Sequence, residues 1–171
     1  MAVPDSVSLR NLSGTYTMNK TLSGDADPVL KMQGMGWLVR QGVKYSAITL
    51  VIKEYTDENG IVHIDIDQTS TGGFKNDEPR QFDWEWHEKD DPIFGKVKGR
   101  GKWTNVSELQ EPFLKDGWDP KWLQEADGEV LFSEVDSVGA KGEQWHADQV
   151  WGFEIIDGGK RYVQSAVFLL T

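Results

Sequence analysis

Cysteine is absent from this 171-residue chain, and histidine occurs only three times. Without a thiol there is no disulfide framework, no thiolate nucleophile and no cysteine-ligated metal. His63, His87 and His146 lie far apart, in none of the spacings that bring two imidazoles and a carboxylate onto one ion, so no metal is expected. Positive charge is scarce: 18 Lys and Arg face 28 Asp and Glu, a net charge of −10. That sign repels phosphate backbones and anionic bilayers, which argues against nucleic acid as a partner. It leaves a neutral or cationic ligand open. No apolar run approaches a membrane span, and MAVPDSVSLRN at the start has no apolar core of signal-peptide length. The expectation is a cytoplasmic protein without membrane insertion.

What the chain does have is hydrophobic content of 38% and eight tryptophans, enough for a packed globule. At this length it buries roughly 70% of its unfolded surface as one domain, taken here as residues 1–171. Residues 1–11 read as a polar lead-in. Gly14-Thr15-Tyr16-Thr17-Met18 is a short alternating strand. Asp27 is placed as a cap acceptor and Pro28 in a first helical turn, where the missing N–H costs nothing. Two amphipathic pieces follow, Val29 to Met32 and Trp37 to Arg40, parted by Gly34 and Gly36, and together they predict a helical lid over residues 27–44.

Strand signals fill the rest. Ala47 to Tyr55 is β-branched, and Asp57-Glu58-Asn59-Gly60 is a turn in which Asn-Gly is expected to supply positive φ. Val62 to Gln68 alternates, as does Gln81 to His87, which would set Phe82, Trp84 and Trp86 on one face. Ile93 to Trp103 carries Lys96, Lys98, Arg100 and Lys102 on one face and Gly95, Val97, Gly99, Gly101 and Trp103 on the other. A strand face made mostly of glycine leaves volume unfilled or lets another backbone come close. Residues 104–128 interrupt the strand pattern, with Asp119-Pro120 starting a short helix and Trp118 and Leu123 spaced for a hydrophobic staple. Strands resume at Val130 to Val135, Gln144 to Ile156 and Arg161 to Leu170, with Asp157-Gly158-Gly159 as the last turn.

Chemistry-bearing motifs are few. Gly95-x-x-x-Gly99-x-Gly101 lies inside a strand and opens no helix, so it is not a phosphate loop. No serine or threonine sits in a nucleophile elbow. Asp65 and Asp67 share a strand face with His63, which reads better as a solvated face than as a cluster, because Ile64 and Ile66 form the core side. No catalytic residue is assigned, and no cofactor is implied.

The order of strand, helical hairpin and many antiparallel strands, with Gly14-Thr15-Tyr16-Thr17-Met18 and Met32-Gln33-Gly34-Met35-Gly36, resembles the intracellular fatty-acid-binding proteins of the lipocalin-like (calycin) group. There a Gly-Thr-Trp-Lys-Leu strand leads into a helix–turn–helix portal with an Ala-Leu-Gly-Val-Gly turn. The similarity is clearest up to about Val97. It implies an all-β, antiparallel up-and-down barrel with a short helix–turn–helix lid and a cavity for one small hydrophobic ligand. The expected ligand-binding residues are Tyr16, Met18, Leu38, Phe82, Trp84, Trp86, Trp103, Trp151, Phe153 and Phe168, with Gln68, Tyr162 and Gln164 as polar members. Met35, Arg40 and Lys44 are expected at the portal. Aromatic walls favour flat or polycyclic molecules by stacking. In the family an inward Arg-x-Tyr pair on the last strand, and an arginine on the strand before it, hold a fatty-acid carboxylate. The matching positions here read Ala166, Phe168 and a site near Phe153, so ordinary fatty-acid binding is not expected, and Arg161 lies only at the start of its strand.

Two functions compete at this stage. One is a carrier for an aromatic or polycyclic small molecule. The other is a cofactor-free isomerase or cyclase, since lipocalin-like barrels include cyclases of fungal and bacterial natural-product pathways. The final strand is apolar on both faces, so its outer side needs a cover, either the 104–128 insertion or a second copy of the chain in a homodimer.

Overall fold

The computed structural model describes residues 2–92, 94–140 and 143–171. Nine strands run antiparallel: β1 Gly14–Thr17, β2 Ile48–Thr56, β3 Val62–Ser70, β4 Lys75–Gln81, β5 His87–Asp91, β6 Gly95–Asn105, β7 Glu129–Ala140, β8 Trp145–Ile156 and β9 Gly159–Leu170. Helices α1 Asp27–Met32 and α2 Trp37–Tyr45 separate β1 from β2, and α3 Pro112–Lys115 and α4 Pro120–Glu125 lie between β6 and β7. The all-β antiparallel class expected from the sequence is the one observed. The ladder, however, does not run continuously around a barrel. Strands β1 to β4 form one sheet in sequence order and β5 to β9 another. Ile93, where the strand running to Trp103 was expected to begin, lies outside the described residues.

The break has a local cause. Gln81 to His87 was read as one strand, but β4 ends at Gln81 and β5 starts at His87. Between them the Asp83 carboxylate accepts the Glu85 N–H at 2.9 Å and contacts the His87 imidazole at 2.9 Å, closing a turn. Trp84 takes φ of +63°, a conformation costly for a bulky side chain, and its N–H bonds to the Gly101 carbonyl at 2.9 Å. The crossing therefore carries the chain from the inner side of β4 to the outer side of β6. The polar run Lys75 to Gln81 forms a strand that the sequence did not announce. Pro79 is tolerated because β4 is a sheet edge.

Side-chain parity is fixed by the register. Across the first sheet the inward rows are Tyr16–Leu50–Gln68–Asn76, then Ile52–Ile66–Glu78, then Glu54–Ile64–Arg80. Across the second they are Gly99–Val135–Ala147–Phe168, then Gly101–Ser133–Gln149–Ala166, then Trp103–Leu131–Trp151–Gln164. The core sits where these faces meet at one end. Ile52, Ile64, Ile66, Phe82, Leu131, Trp151 and Phe153 are buried there, and the lead-in plugs the end with Leu9 and Leu12. Lys160 is buried in this plug, its ammonium donating to the Val7 carbonyl and lying 3.3 Å from the Trp122 ring centre.

The 104–128 segment packs on the outer face of the second sheet. Asp119 caps α4 by accepting from the Lys121 and Trp122 N–H groups, as its position before Pro120 suggested. Leu109, Leu114 and Trp118 cluster with Val130 and Val150, and Val163 and Val167 of β9 pack against them. The insertion thus covers part of β9's outer side, while Leu169 stays 55% exposed. Two local expectations differ. The N-cap of α1 is Ala26, with no side-chain cap, and Asp27 instead accepts a 2.8 Å bond from Arg40 Nε. In the 57–60 turn Gly60 takes positive φ, whereas Asn59 does not. Asp57 supplies the organisation by accepting from the Asn59 and Ile61 N–H groups.

Candidate functional site

The space between the inward faces is the candidate site. Its apolar walls come from both sheets, and a polar belt crosses it. Arg80 reaches across from β4: its Nη2 donates to Glu78 Oε2 at 3.0 Å and to Gln149 Oε1 of β8 at 3.4 Å. Ser133 Oγ donates to the same Gln149 oxygen at 3.4 Å. The guanidinium carbon lies 5.7 Å from the Trp151 ring centre. Higher on β9, Gln164 Nε2 donates to the Tyr162 hydroxyl at 2.9 Å. Burial holds the Tyr162 phenol well above its usual range, so it stays protonated. Glu54 accepts the Leu12 N–H at 2.6 Å, and burial outweighs that bond and raises its carboxyl. The indole N–H groups of Trp103 and Trp145 are buried with no partner among the described residues.

Most of the expected aromatic set meets here. Tyr16 stands 5.4 Å from Tyr162, Phe153 is 6.0 Å from Tyr162, and Phe82 is 5.8 Å from Trp151. Trp103, Gln68, Gln164 and Phe168 occupy inward register positions, Phe168 against Trp145 at 5.8 Å. Ala166 and Phe168 are inward as well, so the two last-strand positions matching the family's arginine and tyrosine are apolar and aromatic. Arg161, of opposite parity to Tyr162, does not replace them.

Trp84 and Trp86 do not join the set. Both lie on the outer face of β6, where Arg100 stands 3.9 Å from the Trp84 ring centre and 4.5 Å from that of Trp86. The basic stripe that covers them is itself paired, Arg100 with Glu134 at 2.6 Å and Lys98 with Asp136 at 3.1 Å. Strand alternation would have turned these indoles inward; the left-handed residue at Trp84 turns them out. Leu38 is 76% exposed on α2, away from the walls, and Met18 is 36% exposed beyond the end of β1. At the portal, Met35 is buried, and Arg40 is tied to Asp27 and to the Met35 carbonyl, so it braces the lid. Lys44 is exposed, with its carbonyl accepting from Lys20. Met32 brings α1 against Val135, Trp145 and Ala147 at the mouth.

The glycine face of β6 is filled rather than empty. A Cβ at Gly101 would stand 2.9 Å from the Phe82 ring and 3.2 Å from the Gln81 carbonyl. That space therefore admits the crossing chain, the second of the two uses a glycine face allows. Sequence reasoning missed Arg80. It looked for a cation on the last strands, and the one alternation that signals it, Asn76, Glu78, Arg80 and Phe82, is hidden in a polar run containing Pro79.

A separate cavity of about 220 Å³ opens on the outer face, between the insertion and β6 to β8, lined by Trp84, Lys102, Glu108, Leu114, Phe132 and Asp148 among others. Beside it His146 bridges Asp136 at 2.7 Å and Asp148 at 3.0 Å. Burial works against the His146 charge, but the bonds to both carboxylates prevail and raise its pKa. A raised folded pKa gives stability that is complete below the unfolded value and is lost as pH rises through the folded one. The melting-temperature deficit of His146→Gln should therefore be larger at about pH 5.5 than at about pH 9. A deficit that grows with pH would contradict the bridge. Among the described residues no group of three or more His, Cys, Asp or Glu is placed to hold a metal, and His63 instead stacks on Tyr55 at 4.9 Å.

The fold resembles that of solved lipid-binding proteins. Among solved structures, Caenorhabditis elegans lipid binding protein 8 matches with a TM-score of 0.53 and 15% identity, over 97% of this chain and 99% of that one. Human cRBP IV matches at 0.50 and 15%, over 94% and 98%. In sequence the chain is 27% identical to pericyclase pydY of an Acremonium species, over 98% of this chain and 88% of the relative. It is also 27% identical to the probable pericyclase scpY of Mollisia scopiformis, over 97% and 86%. No family model matches the chain.

Proposed function

We propose that this chain takes a small hydrophobic molecule, aromatic or polycyclic in its final form, into the space between its sheets. There it acts as a cofactor-independent cyclase or isomerase of a natural-product pathway. The carrying observation is the aromatic-walled interior crossed by the Arg80–Gln149–Ser133 belt, with Tyr162 and Gln164 beyond it. A pericyclic ring closure moves electrons within the substrate. It needs a shape that holds the reacting ends together and donors aimed at polarised oxygens, not a nucleophile. Similarity over nearly the whole chain to two fungal proteins called pericyclases supports this choice. The resemblance in fold to a lipid binding protein supports the second reading, a carrier that binds the same molecule without changing it.

The protein is taken as one domain, 1–171, with the 27–44 lid at the mouth. No described helix is long and apolar enough to cross a membrane, and the acidic surface disfavours nucleic acid. A cytoplasmic site of action fits both readings. A homodimer through the last strand would rest on its Leu169 and Leu170 end, since Val163 and Val167 already face the insertion. The decisive experiment uses the uncyclised precursor that accumulates when the gene is deleted. With purified protein, ring closure should exceed the spontaneous rate and saturate with precursor. Binding without acceleration would make the protein a carrier.

A further inference from the structure

Resting on that reading, we infer that Arg80 anchors a neutral carbonyl oxygen of the ligand, beside Gly99. The ligand class is thus an apolar molecule bearing a ketone, ester or amide, not a free carboxylate. Three observations carry this. First, the guanidinium is half used. Its Nη2 serves Glu78 and Gln149, while its Nε and Nη1 donors have no hydrogen-bond partner among the described residues. A planar fork with spare N–H groups and a 19% exposed side chain is ready to take an acceptor. Second, the charge is already answered. Glu78 pairs with Arg80 at 3.0 Å, and Glu54 adds another carboxyl to the inward row in which Arg80 stands. An incoming carboxylate would meet no surplus of positive charge, whereas a carbonyl needs only donors.

Third, Gly99 leaves the guanidinium uncrowded on that side. A Cβ built on Gly99 would lie 3.5 Å from the Glu134 carbonyl, 3.7 Å from Val135 Cγ2 and 3.9 Å from Arg80 Nη1, ordinary contact distances, so alanine would fit and a longer side chain would crowd the guanidinium. The adjacent glycine, Gly101, is closed by Phe82. Trp151 supplies a flat wall beside the guanidinium. In a cyclase, an arginine donor on a carbonyl conjugated to an alkene draws electron density from the reacting double bond and forms no bond with the substrate. In a carrier, the same contact orients the ligand.

The test uses prodan, a neutral naphthalene ketone whose emission moves to longer wavelength when its carbonyl accepts a hydrogen bond, and the same ring without the ketone. Wild type should bind both. Arg80→Leu should weaken prodan about tenfold or more and shift its bound emission to shorter wavelength, while leaving the ketone-free ring unchanged. Gly99→Leu should do the same to prodan through a different residue, and Gly99→Ala should not. Equal losses for both probes, or none, overturn the role of Arg80 while leaving binding between the sheets intact. In competition, methyl laurate should match or exceed laurate. An Arg80-dependent preference for laurate overturns the neutral-carbonyl class. Failure of wild type to bind either naphthalene overturns the interior-binding reading itself.

Discussion

Trp118→Ala should cost about 3–5 kcal/mol of stability, the range for removing a large aromatic side chain from a packed core. The indole is 7% exposed, donates to the Leu114 carbonyl at 2.8 Å and holds the insertion against Val130 and Val150. Its ring packs against Gly152 of β8, where a Cβ would come within 2.6 Å of a ring carbon. Gly152→Ala alone should therefore destabilise by about 1–3 kcal/mol through overpacking. The double variant is the informative one. With the indole gone, the added methyl enters the vacated space, so the double variant should cost less than the sum of the two single variants. Urea denaturation of the four proteins measures the coupling. Additive costs would place Trp118 away from Gly152 in solution.

Phe82→Ala should have a comparable effect, about 3–5 kcal/mol, for a different reason. Phe82 belongs to neither sheet yet touches both. Its N–H bonds to the Val62 carbonyl of β3 at 3.0 Å, and its ring fills the space beside Gly101 of β6 and meets Trp151 of β8 edge-on. Removing it takes away packing and also loosens the crossing between β4 and β5. Amide exchange at Trp84, whose N–H is bound to Gly101, should quicken by more than exchange in the middle of β8. Uniform acceleration across both sheets would mean that Phe82 is an ordinary core residue with no special part in the crossing.

The sequence discloses those parts of the molecule where one period rules a whole segment. Strands β2, β3, β8 and β9 were placed to within two residues at either end, from β-branched or alternating runs bounded by turn residues; the paired glycines after Pro28 announced the two lid helices. The basic face of β6 was equally plain. What stayed hidden are places where local chemistry overrules the period. Asp83 closes a turn and Trp84 adopts positive φ, so an alternating Phe-x-Trp-x-Trp string that reads as one face is divided between the inside and the outside. The polar Lys75 to Gln81 forms an edge strand because its partner β3 is strongly apolar on one side, a tertiary effect no local window contains. Arg80 was lost with it. Its position depends on which strand stands opposite Ile64, and its chemistry depends on Gln149, 69 residues later.

The discontinuity between β4 and β5 sets a mechanical property of the molecule. Within each sheet, strands are held about 4.8 Å apart by ladders of hydrogen bonds and cannot separate without breaking several at once. No such ladder fixes the distance from β4 to β5; the crossing is pinned by the Phe82 and Trp84 N–H bonds and by side chains laid across it. Nor does a ladder join β1 to β9, so the interior is stiff within each sheet and soft between the two. Under a load from within, as from a guest slightly too wide, the two sheets behave as shells on a compliant seam, and the seam yields before either sheet deforms.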